Sequence, residues 1–533
     1  MFRKFLLENA YWIVPVALVL YALFSVPTND GFNSDSALKL FQAKGLLETS
    51  YSDQEVFYLG KKWDPDYLAH PNRKFLILRP DGGYWGQYSI GFAAVTAPIL
   101  YLFGSAALVP FCILIYLISV AIFKIIYQPV RFTIFFALLC TPLFLYSLEY
   151  SENTLFLLFA GIGLSLYFKS ANLEWEFSER LIGGFFLGAT VWFRLEPFIF
   201  IPVLGFAILI AEYKRLFNID FWKGNGTFAL GIILPILVFI IFNKYVYDSF
   251  LGPRFEVNSS VAWDISIKLK QLFVLAFFGY WKLGFFGYMP ILLWVIFDRT
   301  FSKTALSLRE KIIILLLVIY IPLLSFSVST EAFVSWGPRY LSLCIFPGLF
   351  LLDDWYRIKS EKGFSKINIA VLAIFVSFSV AATLKGLSMI RASYKQIKVM
   401  SGEFEKYNTD YIVTGSEIIS GHFGRLSLSI PCFYIKTFRD GEIISDRLLK
   451  EKTNKKIGFV VSKYKTKDIT QEMDGEEDIL FKILKYITPH VIQYPDITNK
   501  ESEQLLDAFS RKSKLLESKE TRFYTIYIFA TEQ

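Results

Sequence analysis

The apolar residues of this chain are not dispersed but gathered into block after block close to the ~20 residues that carry a helix across a bilayer. Hydrocarbon offers no partner to a backbone N–H or C=O, so blocks of this kind can only be helices that satisfy themselves. Hydrophobic residues make up 54% of the 533 residues and mean hydropathy is +0.44, above the roughly 45–50% apolar content of soluble domains. The chain therefore reads as an α-helical polytopic membrane protein. Its net charge of +8 carries no implication of nucleic acid, because basic residues in such a chain mainly set topology.

Taken in order, the blocks predict about eleven spans: 11–27, 105–127, 132–148, 154–168, two within 181–210, then 227–245, 283–297, 312–328, 340–352 and 367–387. The block 181–210 is too long for one crossing and is interrupted by WFRLEPF, so it reads as two short spans meeting at a polar turn. Arg3 and Lys4 precede the first block, and no small-residue cleavage site follows it, which predicts a retained anchor with a cytoplasmic N-terminus. Under this count every basic cluster between spans falls on one side. The apolar stretch 86–103 then has to be half-buried or surface-lying; as a full crossing it would place the later basic loops outside.

Two long polar regions stand apart from the spans. The first outer loop, 28–88, is rich in aromatic and charged residues and long enough to suggest function. From 389 to 533 the chain carries mixed charges and β-like runs, YIVT (411–414), CFYI (432–435), IGFVV (457–461) and FYTIYIFA (523–530). Helical patterns at 479–487 and 502–509 lie between them. This predicts a small α/β soluble domain on the extracytoplasmic side, after a transmembrane module spanning 1–388. TGSEIISGHFG, within this tail, lacks the spacing of a nucleotide-binding glycine motif. A folded cap is nearly as good a reading of the tail as acceptor positioning or partner docking. No His or Cys spacing suits a metal site, no cofactor is firmly implied, and a divalent metal is possible but unsupported by the sequence.

Ionisable residues beside the bilayer are costly and invite a functional reading. Candidates are Asp30 and Asp35, Arg79 with Asp81, Glu149 with Glu152, Arg194 with Glu196, and Arg339 in SWGPRYL. A carboxylate can take a proton from a hydroxyl, and arginines hold phosphate through forked hydrogen bonds. Each has a plainer use: Asp35 capping a helix that begins at Ser36, Glu149 and Glu152 in an ordinary turn, Arg194 paired with Glu196, Arg339 as an interfacial anchor. Tyr84, Trp85, Trp336 and Tyr340 suit an aromatic belt as well as a sugar platform. His70 reads as a loop residue.

NSDSALKLFQAKGLL, soon after the first span, resembles the first outer loop of GT-C membrane glycosyltransferases. PDGGYWGQYSIGFAAVTAPILYLFG, EYSENTLFLLFAGIGLSLYF, GGFFLGATVWFRLEPFIFIP and WGPRYLSLCIFPGLFLL are similar to segments of the bacterial protein-mannosyltransferase and aminoarabinose-transferase-like branch. The likeness covers roughly residues 10–390. It implies a GT-C-like fold, a polyprenyl-phosphate sugar donor, an extracytoplasmic acceptor (glycan, lipid or protein) and an inverting transfer at the bacterial inner membrane. Carried over, Asp35 matches the base and Arg339 is the candidate phosphate ligand, with Arg194 and Arg79 as further cations and Glu149, Glu152, Tyr84, Trp85, Trp336 and Tyr340 lining the site. Many relatives have an adjacent acidic pair where this chain reads NSDS, leaving Asp30 to supply the second carboxylate. A transporter or flippase of a lipid-linked saccharide, or a glycan ligase or polymerase, are the competing readings.

Overall fold

The structure is a computed structural model that describes residues 12–169, 176–259, 264–279, 282–302, 304–329, 337–450, 455–463, 499–521 and 524–531. Trp336 and the 479–487 run lie outside the described residues. The chain falls into two compact units. One contains Val109–Ile390 together with the first helix; the other joins Val26–Leu108 to the chain from Arg391 onward. This grouping in space crosses the sequence boundary at 388/389.

The first unit is mainly helical, with one short ribbon that pairs Phe278–Gly279 with Lys282–Leu283. Ile13–Ser25, Leu108–Tyr127, Asn153–Phe168, Phe177–Ala189, Pro197–Ala211, Ile219–Tyr247, Leu308–Ser327 and Ile345–Lys362 are its main helices, and Lys366–Lys406 belongs to both units. Cys140 and Pro142 break the next pass into Arg131–Leu139 and Leu143–Ser147. A further pass joins Phe285–Tyr288 to Ile291–Thr300. Among the described residues four helices are long and apolar enough to cross a membrane individually, and Ile13–Ser25, Asn153–Phe168 and Pro197–Ala211 are shorter and apolar. The polytopic helical architecture is as the blocks predict.

Helix packing in this unit relies on backbone contact. A Cβ on Gly184 would lie 2.1 Å from the Phe228 carbonyl oxygen, one on Gly188 2.3 Å from that of Ile232, and one on Gly231 2.2 Å from that of Leu181. Helices Phe177–Ala189 and Ile219–Tyr247 thus cross with nothing between them, the small-residue packing on which membrane bundles depend.

One end of the bundle is a knot of buried ion pairs. Arg309 grips Asp354 (Nε to Oδ2 2.8 Å) and donates to the Phe168 carbonyl at 2.7 Å. Arg299 grips Glu310 (Nη2 to Oε2 2.9 Å), which also completes a capping box with Ser307. Asp353 accepts from the Val130 N–H at 2.7 Å, the Thr133 hydroxyl at 2.9 Å and Arg357 at 2.7 Å. The other end of helix Asn153–Phe168 lies ~24 Å away at ~1.5 Å per residue, and helix Leu308–Ser327 spans ~30 Å.

The second unit is α/β. Its sheet runs, in order, Cys432–Tyr434, Tyr411–Thr414, Lys456–Ser462, Tyr524–Thr531 and Ser513–Glu520; the first three strands are parallel and the last two antiparallel to their neighbours. Ser513–Glu520 is an edge strand whose charged, exposed side chains discourage further pairing. The first loop packs directly on this sheet. Ala69 is part of its buried core, with Tyr58 and Trp63 against it, and the Ala69 carbonyl accepts from Tyr434 N–H at 2.7 Å. A smaller core within the loop holds Ala37, Leu38, Phe41, Val56 and Tyr88. Helix Ile90–Phe103 has only 14 residues, ends at Gly104 (φ 73°) and packs against helix Ser34–Glu48 in this unit.

Candidate functional site

In the helical unit the functional candidates meet where WFRLEPF interrupts the apolar pattern. Pro197 opens helix Pro197–Ala211, and Thr190–Trp192 is a 3-10 turn, so Arg194 lies in the break between two helices. Its side chain is 0% exposed. Nε donates to Glu196 Oε1 at 3.1 Å, and Nη1 donates to Glu152 Oε1 at 2.9 Å and to Asn153 Oδ1 at 3.1 Å. The guanidinium also stands 5.6 Å from the Tyr340 ring and 5.9 Å from that of Phe156. The ion pair expected between Arg194 and Glu196 is present and is joined by a second carboxylate, Glu152, from the Glu149–Glu152 turn.

Arg339 opens the 3-10 segment Arg339–Cys344 and is half-buried. Its charge acts on Arg194 and on the buried Tyr146 hydroxyl, as does that of Glu149 on Tyr146. Just before it, Gly337 has φ 100°, and a Cβ there would lie 3.0 Å from Pro142 and 3.3 Å from the Tyr146 hydroxyl. A residue missed in the sequence joins the group: Arg254, in helix Pro253–Ser259, acts on Glu196 through its charge. Around these charges the hydroxyls of Tyr146, Tyr320 and Ser342 and the Oε2 of Glu196 are buried without a hydrogen-bond partner in the protein. Buried polar atoms in that state are the ones a ligand or ordered water completes.

The second unit carries the carboxylates. Helix Ser34–Glu48 begins two residues earlier than Ser36, with Asn33 at its N-cap, so Asp35 sits inside the first turn and is half-buried. That position differs from the expected capping role. Asp30 is buried and ion-paired to Arg425 at 3.1 Å; burial holds its carboxyl above the usual range although Arg425 and Lys398 oppose the effect. Arg79 stands at the end of the hairpin Leu76–Leu78/Tyr84–Gly86, bonded to Asp53 at 2.5 Å and Asp81 at 2.6 Å and 5.5 Å from the Trp85 ring. The Tyr84 hydroxyl donates to the Asp66 carbonyl at 3.1 Å. Both carboxylates holding Arg79 belong to the loop, so its charge is largely spent locally.

His70 is fully buried beside Phe41, Tyr58 and Tyr67, its Nδ1 accepting from Asn72 N–H at 3.0 Å. Burial pushes its imidazole down to about 3, so it is neutral. Among the described residues no group of His, Cys, Asp and Glu is arranged to hold a metal, and all four cysteines are buried and reduced.

No protein-family model matches the chain, and no curated protein does. Among solved structures, the chain is similar to the crystal structure of ArnT from Cupriavidus metallidurans bound to undecaprenyl phosphate, with 10% sequence identity, 98% of each chain covered and a TM-score of 0.49.

Proposed function

We propose that this protein transfers a sugar from a polyprenyl-phosphate donor to a hydroxyl-bearing acceptor on the extracytoplasmic side of a bacterial cytoplasmic membrane. The observation that carries the reading is the cluster of Arg194, Arg254 and Arg339 with orphaned buried hydroxyls, set one helix length from the basic ion-pair knot. The knot and the basic segments around it take the cytoplasmic side by the positive-inside rule, which leaves the arginine cluster at the outer interface, where a lipid phosphate resides. The resemblance of the first-loop and WFRLEPF segments to GT-C transferases supports the same assignment.

In this mechanism the Asp35 carboxylate takes the acceptor's hydroxyl proton as that oxygen attacks the anomeric carbon. The bond from that carbon to the donor phosphate oxygen breaks, and the electron pair leaves with the lipid phosphate. Arg339 neutralises the departing charge, which is where a fixed cation lowers the barrier most. Arg194 is already bonded to two glutamates and holds the turn rather than the phosphate. Asp30, bound to Arg425, supports Asp35 rather than replacing it.

Purified protein in vesicles with a labelled polyprenyl-phosphate sugar and mixed cell-envelope acceptors tests this. Transfer is expected, with Asp35→Asn reducing it by at least 10²-fold at unchanged protein level. Movement of donor across the vesicle without product would favour a flippase instead. Near-normal transfer by Asp35→Asn would remove that residue from its role.

A further inference from the structure

The carboxy-terminal sheet has a strand-order reversal. Tyr411–Thr414 pairs in parallel with Cys432–Tyr434 on one side and with Lys456–Ser462 on the other. In α/β sheets the crevice beyond the carboxyl end of such a strand is where function is usually built. The segment leaving that end, 415–425, meets the first loop at Glu417, Ser420, Gly421, Gly424 and Arg425. Glu417 pairs with Lys74, and the Ser420 hydroxyl donates to the Pro71 carbonyl at 3.0 Å. A Cβ on Gly421 would be 3.5 Å from the Ser34 hydroxyl, and one on Gly424 would be 2.2 Å from the Phe32 carbonyl oxygen and 2.9 Å from Ala37. Arg425 then binds Asp30 at 3.1 Å and, with its other arm, Glu405 at the end of helix Lys366–Lys406. Tyr394 of the same helix lies against Gly31.

Residues 30–37 are therefore held on three sides, and Asp35 is inside the segment so held. We infer that Gly424 and Arg425 are positioning residues for Asp35: the reversal-point loop of the carboxy-terminal domain fixes the first turn of helix Ser34–Glu48 and so aims its carboxylate. The inference rests on Asp35 acting as the base in the transfer proposed above. It makes the carboxy-terminal domain part of the catalytic apparatus, although neither residue touches substrate. A base displaced by about 1 Å costs roughly 10²-fold in rate, so the effect belongs in kcat and not in donor affinity.

The test uses the full chain in lipid. Arg425→Met removes the tie to Asp30, and Gly424→Ala places a methyl against the Phe32 carbonyl. Each is expected to lower kcat by about 10–100-fold with the donor KM within about twofold, and Arg425→Lys is expected to recover part of the loss. Hydrogen exchange at the amides of residues 34–38 is expected to accelerate in both variants while protection in the sheet is retained. Wild-type kcat and unchanged exchange at 34–38 would overturn the inference. So would loss of protection across the whole sheet, which would mark a merely structural role. If the wild-type chain transfers no sugar, the proposed function fails by itself, and exchange at 34–38 still decides whether Arg425 and Gly424 set that turn.

Discussion

Replacing Arg194 by Met separates a structural staple from a substrate ligand. The guanidinium is fully buried and bonded to Glu152, Asn153 and Glu196, whose carboxylates are themselves 2% and 7% exposed at Glu152 and Glu196. Methionine fills the volume but takes from both carboxylates the guanidinium that bridges them. Breaking a buried pair in this way costs about 3–5 kcal/mol, or roughly 10²–10⁴ in the folding equilibrium, against about 0–1 for an exposed pair. The full chain in lipid nanodiscs, followed by thermal or denaturant unfolding, should show that loss for Arg194→Met. The triple variant Arg194→Met, Glu152→Gln, Glu196→Gln should regain most of it, because the uncompensated charges go with the cation. A single variant of wild-type stability that fails to bind donor would refute the reasoning and make Arg194 a phosphate ligand.

Two other perturbations follow from the packing. His70 is held neutral with a pKa of about 3, against ~6.5 in an unfolded chain, so the unfolded state binds the extra proton between those values. Stability from this group is complete above pH ~6.5 and falls as pH drops, by about 2 kcal/mol at pH 5. His70→Gln should flatten that part of the pH profile, read from exchange protection in the second unit; an identical slope in both proteins would sink the idea. Gly231→Leu should push apart helices Phe177–Ala189 and Ile219–Tyr247 and cost at least ~1–3 kcal/mol, whereas Gly226→Ala, where a Cβ meets nothing within 4 Å, should be tolerated. Equal unfolding midpoints for the two variants would refute the close backbone crossing.

The passes of the helical unit were legible because each apolar block is its own signal, and WFRLEPF announced its break through Arg194, Glu196 and Pro197. The strands YIVT, CFYI, IGFVV and the last run were legible by their β-branched and aromatic content. Ser513–Glu520 was not, since in this exposed edge strand half of the side chains are charged and no apolar alternation remains. The start of helix Ser34–Glu48 was misplaced by two residues because Ser34 takes a left-handed φ of 42° before the helix runs on. What no local pattern reveals is pairing across hundreds of residues. Arg425 looks like any tail arginine until Asp30 is beside it. The Asp30–Arg425 pair is 395 residues apart in sequence.

That remoteness has a consequence for biogenesis. Ala69 leaves the ribosome ~340 residues before Tyr411, which opens the first strand the loop packs against, a wait of about 17–70 s at roughly 5–20 residues per second. During that interval Tyr58, Trp63 and Ala69 have no sheet to cover them, and only the loop's own core of Ala37, Leu38, Phe41, Val56 and Tyr88 can form. The loop must therefore hold its shape across the membrane while the whole bundle is inserted behind it. Substitutions in that small core are expected to act on yield, by leaving a long aromatic segment unfolded at the membrane surface, before they act on the finished protein.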